Sequence, residues 1–271
     1  MVMSVNTNQG AMVALQSLSA TTKSLGNTQL RITTGLKVNG PKDNAATFAI
    51  AQNMRGDIAG LGAVKTNLSL GQSIVNVAID AGKAIADLLV EMKAKTIQAS
   101  QAGLDTNSYT ALNEEFTSLR SQIDSIITSA DFNGKNLIDA TATNLKVLST
   151  VDGSTITVTK QSIDTTTLAI HTAALTDSSV AATALTAISA AIISVSNALA
   201  SLGSSAKRVD IQAEFTSKLQ DILKQGVGNL VDADLAEESA NLQALQIKQQ
   251  LGVQSLAIAN AGPQSILALF H

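Results

Sequence analysis

The chain of 271 residues has no cysteine, no tryptophan, one tyrosine, two prolines and two histidines. Without cysteine there are no disulfides, no thiolate nucleophile and no thiolate-bound metal. His171 and His271, the second being the last residue, leave almost no material for a multi-histidine metal site or a Ser/His/Asp triad. Charged residues make up only 14% and the net charge is −3, which gives no basis for nucleic-acid binding. Aromatics make up 2%, so the core must be aliphatic and alanine-rich. That composition suits close-packed long helices and withholds the flat rings on which a sugar-binding surface is built. At 45% hydrophobic the chain is too apolar for a disordered polyelectrolyte.

Two membrane signals are missing as well. Met1 to Thr22 carries no cation, the first being Lys23, so no cleavable signal peptide is legible. Ser178 to Ala206 is charge-free and of spanning length, but it is rich in Ser and Thr and contains Asn197. We read it as a soluble helix and expect no membrane span. No enzyme is expected either. The metalloprotease motif H-E-x-x-H is absent. The carboxylate pairs Glu114-Glu115 and Glu237-Glu238 are adjacent in sequence, so on a helix they diverge instead of flanking one substrate. Neither a cofactor nor a metal is implied.

What is present is helical spacing. Residues three and four apart form one stripe on a helix, and five stretches keep that rhythm. The first is Ala11, Leu15, Leu18, Thr22, Leu25, Gln29 and Ile32. The second runs from Ile50 through Met54, Asp57, Leu61, Val64 and Leu68 to Met92 and Thr96. It predicts a helix over about 45–100, roughly 80 Å long at 1.5 Å per residue. The third is Tyr109, Leu112, Phe116, Leu119, Ile123, Ile126 and Ala130. The fourth starts Ala181, Leu185, Ile188, Ile192, Val195, Leu199, Leu202 and continues in register to Leu223. The fifth is Leu235, Glu238, Leu242, Leu245, Gln249, Gly252, Leu256 and Ala259. Beside the fifth lies a second apolar line, Ala236, Ala240, Ala244, Ile247, Leu251 and Ile258. A helix with so wide an apolar face needs more than one packing neighbour.

Punctuation separates these helices. Gly35 to Pro41 divides the first from the second, and Gly226-Val227-Gly228-Asn229 is expected to divide the fourth from the fifth. Asp234 with Glu237 fits a capping box opening the fifth helix, and Pro263 is expected to follow its end. The two glycine breaks lie at matching distances from opposite ends of the chain. We read two layers: residues 1–40 with 230–271 as a terminal coiled-coil domain, and 41–229 as a second helical bundle. The Thr-rich stretch of about 140–177 reads as a β excursion, since Asp152-Gly153 lies between alternating β-branched runs. The fold class is therefore mainly α: a long antiparallel, coiled-coil helical bundle in two layers formed by both chain ends, with a small β-hairpin in the middle.

Ser4-Val5-Asn6-Thr7-Asn8 with Ala14-Leu15-Gln16-Ser17-Leu18, and Arg31-Ile32-Thr33-Thr34-Gly35-Leu36-Lys37-Val38-Asn39 with Lys42-Asp43-Asn44-Ala45-Ala46, resemble the N-terminal signature of bacterial flagellins. Glu115-Phe116 through Ile123-Asp124 to Phe132-Asn133-Gly134 is similar to a third block of that family. Asp232-Ala233-Asp234-Leu235-Ala236-Glu237-Glu238, the run Gln249 to Asn260, and the closing Pro263-Gln264-Ser265-Ile266-Leu267-Ala268-Leu269-Phe270 resemble its C-terminus. The short middle is similar to compact alphaproteobacterial flagellins. The resemblance covers about 1–140 and 180–271.

The resemblance implies a structural subunit of the bacterial flagellar filament, exported unfolded by the flagellar type III system with an export chaperone. Such a subunit self-assembles beneath a filament cap into an extracellular helical tube for motility. Its partners would be copies of itself, sibling flagellins and the hook–filament junction protein. The alternatives are the junction protein itself and a flagellin-like cell-surface binding protein. Within the family reading, Leu15, Leu18, Leu25, Ile32, Leu235, Leu242, Leu245 and Leu256 are the assembly stripe. Gly35, Gly40, Gly226 and Gly228 are hinge candidates, although a glycine there also simply ends a helix. Asp57, Glu238 and Gln249 interrupt apolar stripes; they either fix register or face solvent. Asp232 and Asp234 read as helix caps. Ser and Thr together number 54, and the resemblance implies O-glycans on those of the middle segment. Finally, many flagellins carry an Arg and a Glu that the flagellin-sensing Toll-like receptor reads. Here the matching stretch has Glu91 and Ala94 at those positions, so weak activation of that receptor is expected.

Overall fold

A computed structural model describes residues 7–267. The resemblance blocks at Ser4 to Asn6 and Ala268 to Phe270, and His271, lie outside them. The described residues form five helices and one hairpin: α1 (Gln9–Thr34), α2 (Ala45–Ala99), α3 (Thr106–Ser129), β1 (Leu145–Leu148), β2 (Thr155–Val158), α4 (Ser178–Val231) and α5 (Leu235–Leu267). The chain divides into two units, Met1–Gly56 with Ile222–His271 and Asp57–Asp221, each division falling within a helix, α2 or α4.

The Asp57–Asp221 unit is built on the three central stripes. Leu61, Val64, Leu68, Val75, Ala78, Ile85, Leu89 and Met92 of α2 are buried. All of them but Leu61 lie in one core with Phe116 and Ile123 of α3 and Ala181, Ile188, Val195, Leu202 and Val209 of α4. Thr96 takes a buried stripe position because its hydroxyl donates to the Met92 carbonyl at 2.8 Å, which leaves no polar group unpaired. By composition α4 is apolar enough to cross a membrane, but its stripe is buried inside this core. The hairpin pairs Leu145 with Val158 and Leu148 with Thr155, and Gly153 takes the left-handed conformation (φ 88°) in its turn. The remainder, Thr159 to Asp177, contains no strand. It is held by a polar face of α3. Arg120 donates to the carbonyls of His171 and Ala173 at 2.7 and 3.0 Å, and Asn113 and Asp124 accept from Leu175 N and the Thr165 hydroxyl at 2.8 Å.

Two helix ends differ from the sequence expectation. α4 does not break at Gly226-Val227-Gly228-Asn229 but continues to Val231. Each glycine costs about 1 kcal/mol in a helix, and the burial of Val227 and Val231 offsets this. The turn falls instead at Asp232 to Asp234. Nor does Pro263 follow the end of α5, which runs on to Leu267.

Candidate assembly surface

The other unit pairs α1 with α5. Asn8 is extended (φ −90°, ψ 92°) and caps α1 by accepting from Ala11 N at 3.0 Å. Asp234 caps α5, its Oδ1 accepting from Ala236 N at 2.8 Å and Glu237 N at 3.3 Å. Along α5, Glu238 is buried and Leu242, Leu245, Gln249, Gly252, Leu256 and Ala259 are half-buried. Along α1 the covered line is Ala11, Ala14, Leu18, Thr21, Leu25 and Thr28, then Arg31 and Ile32. Gly252 brings the two helices close: a Cβ there would lie 3.2 Å from Cδ1 of Leu18.

Of the proposed assembly stripe, then, Leu18, Leu25, Ile32, Leu242, Leu245 and Leu256 share this seam. Leu15 and Leu235 do not, being 57% and 50% exposed. The seam on α1 is rotated by one position, using Ala14 where the spacing offered Leu15. Ala14 also lets the helices approach, as Gly252 does.

Around the seam the apolar surface stays open. Met12, Val13 and Leu15 on α1, and Ile247, Leu251, Val253 and Ile258 on α5, are all more than half exposed. On α1, Met12, Val13, Leu15 and Lys23 line a shallow groove. The second apolar line read on α5 is thus solvent-facing within the single chain. In the Asp57–Asp221 unit, by contrast, the stripes meet in a buried core.

The interrupting residues separate cleanly. Arg31 donates to Oε1 of Glu238 at 2.8 Å, so a buried carboxylate on the stripe has its cation. Asp57 is exposed. The linkers of the two chain halves also bond to each other. Leu36 bridges Asp232, Lys37 N donates to the Val231 carbonyl at 2.7 Å, and Ala233 N donates to the Gly35 carbonyl at 2.9 Å. Gly35 ends α1 in the left-handed conformation (φ 70°). Gly40 donates its N–H to Asp43 at 3.1 Å. Gly226 and Gly228 are helical; a Cβ on them would meet Met54 Cε at 2.8 Å and Asp232 Oδ2 at 2.7 Å. None of these cross-chain bonds had a signal in residue spacing, because their partners are about two hundred positions apart.

Glu91 and Ala94 lie exposed on one face of α2, beside the exposed Val90 and Ile97. Lys95 pairs with Glu115 of α3, and this hydrogen bond raises the pKa of its ammonium above the ordinary value. Among the described residues no cluster of three or more His, Asp or Glu side chains is placed to hold a metal ion.

These features define a class: a helical structural protein whose two ends pair into one unit and leave an apolar surface uncovered. Comparison with known proteins makes the class specific. Residues 5–143 match the bacterial flagellin N-terminal helical region, and residues 185–270 match the bacterial flagellin C-terminal helical region. Flagellin FljO of Caulobacter vibrioides is 47% identical over 269 residues, covering 99% of this chain and 98% of the relative. A flagellin of Brucella melitensis is 37% identical, covering 99% of each. The crystal structure of Bacillus cereus flagellin shares the fold, with a TM-score of 0.52 at 23% identity over 55% of this chain and 88% of that one. So does a putative flagellar hook-associated protein from Vibrio parahaemolyticus, with a TM-score of 0.58 at 14% identity over 70% of this chain and 100% of that one. The chain belongs to the bacterial flagellin family. It is a structural subunit of the flagellar filament, and its family is a structural, non-enzymatic one.

Proposed function

We propose that the α1–α5 unit, residues 1–40 with 230–271, is the inner layer of a homopolymer and becomes ordered only when neighbouring copies cover it. The observation that carries this is the contrast between the two units: one buries its apolar stripes within the chain, the other leaves Met12, Val13, Leu15, Ile247, Leu251 and Ile258 open. An isolated helical pair with so little enclosed surface is marginal in water, since helices draw most of their stability from packing. Coupling order to assembly keeps the free chain exportable through the flagellar type III system, and prevents polymerisation away from the cap. Residues 41–229 form the outer layer. The hook–filament junction protein, the cap, an export chaperone and sibling flagellins are the partners this reading requires, and the site of assembly is outside the cell.

The test is seeded polymerisation followed by amide hydrogen exchange. Purified monomer added to short native filament fragments should extend them into long, smooth filaments. Exchange across 9–34 and 235–261 should be fast in free monomer and slow in the filament. Protection of both segments in free monomer overturns the coupling. No elongation from competent seeds moves the assignment to the junction protein.

Three finer readings belong to the same proposal. Gly35, Gly40, Gly226 and Gly228 let the paired ends re-angle between two packings; unchanged filament waveforms in Gly226→Ala/Gly228→Ala remove that role. Glu91 and Ala94 make the chain a poor agonist of the flagellin-sensing Toll-like receptor, since a reversed charge at a polar contact weakens binding. Nanomolar activation in reporter cells contradicts it. O-glycans occupy Ser and Thr of the middle segment, and an intact mass equal to that of the bare chain excludes them.

A further inference from the structure

We propose that Asn8 and Pro263 are a matched pair: Asn8 supplies, from the far end of the chain, the hydrogen-bond donor that Pro263 withholds from Ala259, and so sets the register of α1 on α5. In a helix the residue at position 263 donates its N–H to the carbonyl of residue 259. Proline has no N–H, yet α5 runs past it to Leu267. Nδ2 of Asn8 lies 2.7 Å from that same Ala259 oxygen. The other end of the carboxamide, Oδ1, accepts from Ala11 N at 3.0 Å. One side chain therefore satisfies an orphan donor of α1 and an orphan acceptor of α5.

Few residues do both. Asp and Ser cap helices as well as Asn, but Asp has no donor, and Ser lacks the reach of a carboxamide. At the opposite end of the seam Arg31 holds Glu238 at 2.8 Å. The antiparallel pair is thus pinned at two points, and a slip of one helical turn, about 5.4 Å, breaks both. Asn8 is a positioning residue: it acts on assembly through the alignment of α5. The inference rests on the assembly reading, because the pair is proposed to become ordered in the polymer.

The experiment is a cycle of four full-length chains: wild type, Asn8→Ser, Pro263→Ala and the double variant. Each is assayed for the critical concentration of elongation from native seeds. Asn8→Ser keeps the cap and loses the bond to Ala259. Pro263→Ala restores the helical donor. With Pro263 present, Asn8→Ser leaves a carbonyl unpaired and should raise the critical concentration about tenfold. In the Pro263→Ala background the same substitution should raise it less than about twofold, which is the rescue a mere cap does not show. Equal penalties in the two backgrounds, or no penalty in either, overturn the pairing. Should the wild type fail to elongate, the assembly reading fails by itself, and the cycle is read in the free chain by exchange of peptides spanning Ala11 and 255–261. Faster exchange in Asn8→Ser only beside Pro263 then supports the pair. Any other pattern, unprotected wild-type peptides included, overturns it.

Discussion

Asp105 and Asp177 stand at the N-termini of α3 and α4, where a carboxylate meets unpaired backbone N–H groups. Asp105 accepts from the hydroxyl and the N–H of Ser108, and Asp177 from the Ser179 hydroxyl, Val180 N and Ser179 N. In both the serine hydroxyl bond is the largest cause of a pKa below the ordinary 3.8. A carboxylate with a lowered folded pKa contributes stability that is present above its unfolded pKa and lost as the pH falls through the folded one. The urea midpoint of the central unit should therefore drop between pH 6 and pH 3. Asn caps without titrating, so Asp105→Asn/Asp177→Asn should show a smaller drop. An equal drop in the two proteins assigns the acid sensitivity to other carboxylates.

At the scale of elements, α2 is notched for its neighbours. Gly60, Gly71 and Gly82 recur every eleven residues, about three helical turns, so they share one face. A Cβ on Gly71 would lie 2.6 Å from Cγ2 of Val147 in β1, one on Gly60 2.9 Å from Val151 in the hairpin turn, and one on Gly82 2.8 Å from Leu199 of α4. Val147 is a buried strand residue, and its β-branched side chain has little rotamer freedom to yield. Gly71→Ala should therefore lower stability by about 1–3 kcal/mol, despite the better helix former, because overpacking outweighs propensity. Gly203 of α4 has nothing within 4 Å of its Cβ position. Gly203→Ala should raise stability by up to about 1 kcal/mol. Chemical denaturation of the two variants beside wild type reads both; a stabilised Gly71→Ala would mean the hairpin does not seat on α2.

For the whole molecule, folding and assembly are divided between the units. The core of Asp57–Asp221 draws on α2, α3, α4 and the hairpin, and needs no residue of α1 or α5. A chain reduced to 35–234 should thus keep the main cooperative thermal transition and lose all elongation of seeds. If its transition disappears, the terminal helices contribute to folding of the monomer, and coupling of order to assembly is wrong.

Much of this was legible in residue order. The stripes of α3 and α4, and that of α2 from Leu61 onward, are buried or half-buried as their spacing predicts, because a continuous apolar line on a helix has one way to leave water; Ile50, at the start of the α2 stripe, is exposed. The Asp152-Gly153 signal marks a real hairpin, because a left-handed position in a tight turn is a local demand that few residues meet. The alanine-rich, aromatic-poor composition already required long, closely packed helices. On α1 and α5 the same reasoning reached its limit. α5 carries two adjacent apolar lines, and on α1 the covered positions Ala14, Thr21 and Thr28 lie one residue from Leu15, Thr22 and Gln29 of the stripe, a rotation that spacing does not resolve. Tertiary structure decided for Ala14 over Leu15, because the small side chain lets the helices approach and leaves the large one outside. It also carried α4 through two glycines, since Val227 between them and Val231 beyond them are buried, and α5 through Pro263. The bond from Asn8 to Ala259 joins positions 251 apart. Periodicity is a property of neighbours along the chain, whereas register is a property of two surfaces meeting, and only the folded pair holds that information.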